Sequence, residues 1–276
     1  EGPDVVLGGS GNDVIHAGVG DFADVVLGDN GEVDFDTTTV PGTPIIQSIV
    51  STATDVDSGN GRDEIIVGDG DDVVIAGVDD DRVNYVIDPV TGEPVQVGVD
   101  DGDDVVIGDS GEVQFDTTTG APLVTEVETT DPLNGPGDDL IFVDNGNDIV
   151  LAGSGNDVVD AENEANPDEG VDIVFGDNGT VTFDLVDTGA GLAPVLATVT
   201  STATGIGGDD VILVGEGDDL VVAGPGNDLV NYVIDPVTGL PVQYGTDDDE
   251  DIVIGDNGQA RFETSTGVAL LEMIMT

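Results

Sequence analysis

Apolar residues in this chain come in short bursts. Triplets such as VVL at 25–27, VVI at 73–75, IVL at 149–151 and LVV at 220–222 are separated by glycine, aspartate and asparagine. Three residues are too few for a helical face but suit a short β-strand, and the Gly/Asp clusters between them are turn formers. In three places strand and turn recur in one unbroken nine-residue frame. These are SGNGRDEII, VGDGDDVVI, AGVDDDRVN from Ser58 to Asn84; NGPGDDLIF, VDNGNDIVL, AGSGNDVVD from Asn134 to Asp160; and GIGGDDVIL, VGEGDDLVV, AGPGNDLVN from Gly205 to Asn231. A chance excess of Gly and Asp does not produce consecutive copies.

A longer period overlies the short one. GDNG at Gly28, GDSG at Gly108 and GDNG at Gly176 and Gly255 each open a segment with an apolar or small residue (Val33, Val113, Val181, Ala260) and an aromatic two positions on (Phe35, Phe115, Phe183, Phe262). A Thr-rich turn and a second alternating stretch follow, which predicts a β-hairpin. NYVIDPVTG begins at Asn84 and again at Asn231, each time followed by P-V-Q, and Asp-Pro-Val-Thr-Gly predicts a turn between short strands. At the equivalent place the third segment has AENEANPDE, which predicts a polar loop. These marks divide the chain into four modules, 1–50, 51–130, 131–200 and 201–276, within a unit of about 150 residues.

The nonapeptide also carries chemistry. Gly8 to His16, GGSGNDVIH, fits G-G-x-G-x-D-x-U-x without a mismatch. Its glycines permit backbone turns at positive φ, its Asp offers a hard anionic oxygen, and its eighth residue is an aliphatic core position. The sixth-position residues are candidate metal ligands: Asp4, Asp13 and Asp24; Asp63, Asp72 and Asp81; Asp139, Asp148 and Asp157; Asp210, Asp219 and Asp228; and, where the pattern resumes after each excursion, Asp104, Asp172 and Asp251. Asp79 replaces the fourth glycine in the copy from Ala76, which should weaken that site. The GDNG aspartates Asp29, Asp109, Asp177 and Asp256 fit either a ligand or an Asx-type cap.

On these residues the chain resembles the RTX, or haemolysin-type, calcium-binding nonapeptide family, with about half of its length in the pattern. The resemblance implies an all-β fold in which each nonapeptide is half a turn of a right-handed parallel β-roll. Residues eighteen apart then stack and sandwich one calcium ion, as for Asp63 with Asp81, Asp139 with Asp157, and Asp210 with Asp228. The expected whole is an elongated parallel β-roll interrupted by hairpin insertions. Only the eighth position should face inward, and Val106, Val158 and Val221 are assigned to it, with Val73 and Val211 facing out.

Composition sharpens this picture. Sixty acidic residues against three basic ones give a formal charge of −57, which opposes any compact state unless counter-ions enter it. Several Ca²⁺ ions are the natural cofactor. With no cysteine, disulfides and thiolate metal sites are excluded; with no lysine, so is Schiff-base chemistry. Nucleic acid and anionic membrane surfaces would repel the chain, and no apolar run reaches membrane-spanning length. Carboxylate pairs occupy the ligand frame throughout, which disfavours an enzyme. His16, the single histidine, falls at an outward ninth position. Tyr85 and Tyr232 hold matching places and suit packing over a roll end better than a sticky patch.

Tandem duplication favours a non-catalytic structural repeat: a fibre, stalk or surface-layer segment of a large extracellular bacterial protein. The resemblance implies type I export and folding on meeting external calcium. Its expected partners are calcium and further repeats or copies, stacked end to end. The alternatives are the secretion and folding module of a toxin or hydrolase whose catalytic domain lies elsewhere, or an adhesin segment.

Overall fold

A computed structural model describes residues 2–18, 22–52, 61–97, 102–133, 135–161, 170–244 and 250–276. The loop expected from AENEANPDE falls almost wholly outside these residues, as do Ser58 to Asn60 of the first triple repeat. The described residues contain strands and turns and no helix.

The nonapeptide strands form two parallel sheets. Eight strands make the central sheet, in the order Val5–Leu7, Val25–Leu27, Val73–Ile75, Val105–Ile107, Ile149–Leu151, Ile173–Phe175, Leu220–Val222 and Ile252–Ile254. Seven make an outer sheet: Val14–His16, Glu64–Ile66, Arg82–Val83, Leu140–Phe142, Val158–Ala161, Val211–Val214 and Leu229–Val230. The chain alternates between them, so successive turns coil into one β-roll. Neither sheet breaks where the sequence leaves the nonapeptide frame. Val73–Ile75 pairs directly with Val105–Ile107 although the whole NYVIDPVTG excursion intervenes.

The hairpins are more than interruptions. Gly31–Asp36 with Ile45–Ser51, Gly111–Asp116 with Leu123–Thr129, Gly179–Asp187 with Leu192–Ser201, and Gln259–Glu263 with Leu270–Met275 pair side by side into an eight-stranded antiparallel sheet. Val113 lies opposite Ile49, Val127 opposite Val181, and Val199 opposite Ala260, which joins each hairpin to the next. The reason is dimensional. A hairpin leaves every second central strand, two strands occupy about 9.6 Å, and a hairpin is itself two strands wide. Each hairpin shifts register just before its aromatic residue, at Asp34/Phe35, Gln114/Phe115, Thr182/Phe183 and Arg261/Phe262. Such bulges re-aim a side chain, and Phe115, Phe183 and Phe262 pack against the core beneath.

The molecule therefore has three layers and two cores. Between outer and central sheets lie the eighth-position residues, including Ile65, Val74, Val106, Ile141, Val150, Val159, Ile212 and Val221, all at most 1% exposed. Between central and hairpin sheets lie Val25, Leu27, Val73, Ile75, Val105, Ile107, Leu151, Phe175, Val222 and Ile49. Two expectations are corrected here. Val73 faces the second core, because the hairpin sheet covers the side of the central sheet that a plain roll leaves in water. Val158 is a seventh-position residue and only half-buried; the inward residue is its neighbour Val159.

NYVIDPVTG forms a two-stranded hairpin in both places, Tyr85–Ile87 with Pro94–Gln96 and Tyr232–Ile234 with Pro241–Gln243. Asn84 and Asn231 start it with φ of 56° and 54°, a left-handed conformation that Asn tolerates. Their side-chain oxygens accept the Val67 and Val214 amides at 3.1 and 3.0 Å.

Candidate metal centre

Each sixth-position aspartate ends a glycine turn and starts a strand, so stacked strands put these side chains in columns. On the central-sheet side the column runs through Asp4, Asp24, Asp72, Asp104, Asp148, Asp172, Asp219 and Asp251. On the outer-sheet side it runs through Asp13, Asp63, Asp81, Asp139, Asp157, Asp210 and Asp228. At every step Oδ1 of one aspartate accepts the backbone N–H of the previous one, over 2.6 to 3.2 Å. All the predicted residues fall in one or other ladder. The pairs eighteen apart are adjacent rungs, and so are Asp81 and Asp139, which are 58 apart.

One carboxylate oxygen is thus used for the stack. The other is not. In the outer-sheet ladder Oδ2 of Asp13, Asp63, Asp81, Asp139, Asp157, Asp210 and Asp228 is buried without a hydrogen-bond partner. A buried anionic oxygen with no donor is costly unless a cation meets it. Among the described residues no arginine serves: Arg62 pairs with Asp80, Arg82 lies 3.5 Å from Glu64, and Arg261 is exposed on the hairpin sheet.

The glycines complete the arrangement. A side chain at Gly102 would strike the Gly70 carbonyl, one at Gly155 that of Gly137, and one at Gly208 that of Gly155, so each turn aims an oxygen at the glycine above it. Asp79, in a glycine's place, adopts φ 70° and accepts the Gly61 amide through its side chain. Among the described residues no three acidic side chains gather into a side-chain-only cation site. Backbone carbonyls must therefore contribute to any ion's shell, as hard-cation sites in glycine turns do.

Ionisation reflects the crowding. Loss of hydration pushes Asp63 up to about 7 against the pull of the Asp13 amide, with the charges of Asp29 and Asp13 adding to the rise. Burial likewise pushes Asp210 up to about 7, opposed by the Asp157 amide and helped by Asp228. Asp81, Asp139 and Asp157 are raised well above the usual carboxylate range, first by burial and then by neighbouring aspartates. Burial without a counter-ion thus favours the protonated form at Asp63, Asp81, Asp139, Asp157 and Asp210.

Sequence reasoning left two groups unplaced. Asp29, Asp109 and Asp177 of the GDNG motifs are buried against the outer-sheet ladder, whereas Asp256 is exposed. At the fifth position a second, exposed ladder runs alongside: Asn156 Nδ2 donates to Asp138 at 2.9 Å and Asn227 Nδ2 to Asp209 at 2.8 Å. The Asn-Asp and Asp-Asp dipeptides at positions five and six were its visible signal. His16 is exposed. Tyr85 and Tyr232 part company: Tyr85 is 8% exposed and packs edge-on to Phe142, and Tyr232 is 42% exposed.

The family model for the RTX calcium-binding nonapeptide repeat matches four stretches, 1–32, 57–85, 134–166 and 204–232. This chain carries RTX repeats. No curated protein and no solved structure matches it. The RTX nonapeptide is a calcium-binding repeat, so these stretches mark a calcium-binding repeat module, and both ladders run through them. Asp104, Asp172 and Asp251 lie outside the matched RTX stretches yet continue the central-sheet ladder without a gap.

Proposed function

We propose that this chain is a non-catalytic, calcium-stabilised structural segment of an extracellular bacterial fibre, stalk or surface layer, with the sixth-position aspartates of both ladders as ligands. The observation that carries the reading is continuity. Each two-coil repeat adds two strands to the central sheet and two to the hairpin sheet, and no sheet breaks at a repeat junction. Such a unit lengthens by addition. Eight central strands correspond to about 38 Å of stack.

Calcium in this reading is a condition of folding. An ion between two rungs draws together oxygens from successive coils and cancels charge where the chain is most crowded. Export unfolded, by the type I route common to RTX proteins, followed by folding in millimolar calcium, accords with this. A further repeat or a second copy stacked on the last coil would cover Tyr232 as Phe142 covers Tyr85, which supports end-to-end association.

Circular dichroism of the whole chain during a calcium titration tests the reading. Disorder in chelator should give way to β-structure between about 10⁻⁴ and 10⁻³ M calcium, the range of extracellular modules. Native signal persisting in excess EDTA would overturn it. Flanking sequence separates the alternatives: more of the same unit supports a fibre, and a zinc-protease or lipase motif supports a secretion module.

A further inference from the structure

Where each hairpin departs, the central strand runs into GDNG or GDSG and the glycine turn that would lead to the outer sheet is replaced. We propose that Asp109 and Asp177 are themselves calcium ligands, each closing a site at a hairpin root with a sixth-position aspartate of the following coils: Asp139 for Asp109, Asp210 for Asp177. The inference rests on calcium binding by the ladders and adds a ligand that the nonapeptide does not contain.

Each of these carboxylates is divided in function. Asp109 Oδ2 accepts the Ser154 amide at 2.6 Å, and Asp177 Oδ1 accepts the Gly208 amide at 3.2 Å, so one oxygen fixes a neighbouring turn. The other, Asp109 Oδ1 or Asp177 Oδ2, is buried with no hydrogen-bond partner in a residue 4% or 2% exposed. Beside it the space is kept open by glycine. A side chain on Gly108 would strike the Ala152 carbonyl and Asp139 Oδ2; one on Gly176 would strike the Ala223 carbonyl and Asp210 Oδ2. A ladder carboxylate and a backbone carbonyl therefore meet at the glycine that precedes Asp109 or Asp177, and the buried carboxylate next in sequence would complete a donor set suited to a hard divalent cation.

The fourth motif acts as an internal control. Asp256 has the same GDNG sequence, but among the described residues no coil packs on it; it is exposed, and nothing lies within 4 Å of a side chain built on Gly255. Burial of the GDNG carboxylate thus depends on the coil it faces rather than on the tetrapeptide. A cation there would tie the hairpin sheet to the roll, since these four residues join a central strand to a hairpin strand.

Equilibrium dialysis with metal analysis on the whole chain counts bound calcium. Asp109→Asn and Asp177→Asn should each lose one ion or weaken one site at least tenfold, and Asp256→Asn should lose none. Unchanged stoichiometry and affinity in the first two would overturn the proposal. So would greater stability of either variant in EDTA with calcium binding intact, since that outcome means the carboxylates are simply protonated. If the wild-type chain binds no calcium, the broader functional reading fails instead. Should the variants not fold, terbium-soaked wild-type crystals decide: an anomalous peak bonded to Asp109 and Asp177 supports the sites, and peaks confined to the turns between sixth-position residues overturn them.

Discussion

The central and outer sheets are made of the same nonapeptide, yet they are different materials. In the central sheet Val25–Leu27, Val73–Ile75, Val105–Ile107 and Leu220–Val222 are buried along their whole length. In the outer sheet only the eighth position is consistently inside, and its neighbours admit charge: Glu64 and Arg82 form an ion pair across adjacent strands, and His16 is exposed. A strand covered on both faces reads as a continuous apolar run, and one covered on a single face reads as an alternation. The repeat thus defines the frame, and the hairpin sheet decides which strands lose their second solvent face. The outer sheet has one apolar face and a ladder of carboxylates; the central sheet has two apolar faces as well as its ladder.

The strongest way to break this comparison is to place a charge at the seventh position of each sheet. Val73→Asp puts an unpaired carboxylate into the core under the hairpins and should cost roughly 3 to 5 kcal/mol. Val211→Asp sits on the half-buried outer face and should cost about 1 kcal/mol or less. Thermal melts in saturating calcium measure both. Equal losses would mean that the hairpin sheet does not cover the central sheet in solution.

The turn, the ligand frame and the eighth-position core were legible in sequence because each is repeated locally. The third layer was not, although its trace was present. Copies that feed the central sheet end in VVI, IVL or LVV, whereas those that feed the outer sheet include EII, RVN, VVD and LVN but also LIF and VIL, so the trace was partial. Reading every copy by the plain nonapeptide rule assigned Val73 outward, when its burial is set by a hairpin that leaves the neighbouring central strands, far away in sequence. The GDNG aspartates stayed ambiguous for a related reason: Asp177 and Asp256 share a motif and differ only in what stacks on them.

A smaller effect should separate the two tyrosines. Tyr85 is held between its hairpin and Phe142, so Tyr85→Ala should cost about 3 kcal/mol, near the lower end for loss of a large buried ring. Tyr232→Ala removes a half-exposed ring and should cost under about 1 kcal/mol in the monomer. If a second copy or further repeat stacks on that end, Tyr232→Ala should instead weaken association, which sedimentation at rising protein concentration would reveal. Equal monomer losses would show that Phe142 contributes little to the burial of Tyr85.

The mildest test uses pH to ask whether the outer sheet leans on its ladder. Without metal, burial raises Asp63 and Asp210 to about 7 and Asp177 to about 9, from the ordinary aspartate value of 3.8. A carboxyl whose pKa is higher in the folded than in the unfolded chain binds its proton more tightly when folded. Its contribution to stability is therefore fully present below about 4 and is lost as pH rises through 7 to 9. In excess EDTA, acidification from pH 9 to 5 should restore part of the β signal, with amides of Glu64–Ile66 and Val211–Val214 gaining exchange protection. Calcium competes with those protons for the same oxygens, so its titration midpoint should fall with rising pH, by a few-fold and at most about tenfold per unit for each proton displaced. Asp210→Asn should flatten both responses, because an amide cannot titrate. Asp187→Asn should leave them unchanged, since Asp187 is exposed at the far end of its hairpin strand. A chelated chain whose signal is level from pH 5 to 9, or a calcium midpoint indifferent to pH, would mean that the buried oxygens carry neither proton nor ion, and that the outer sheet is held by its single apolar face alone.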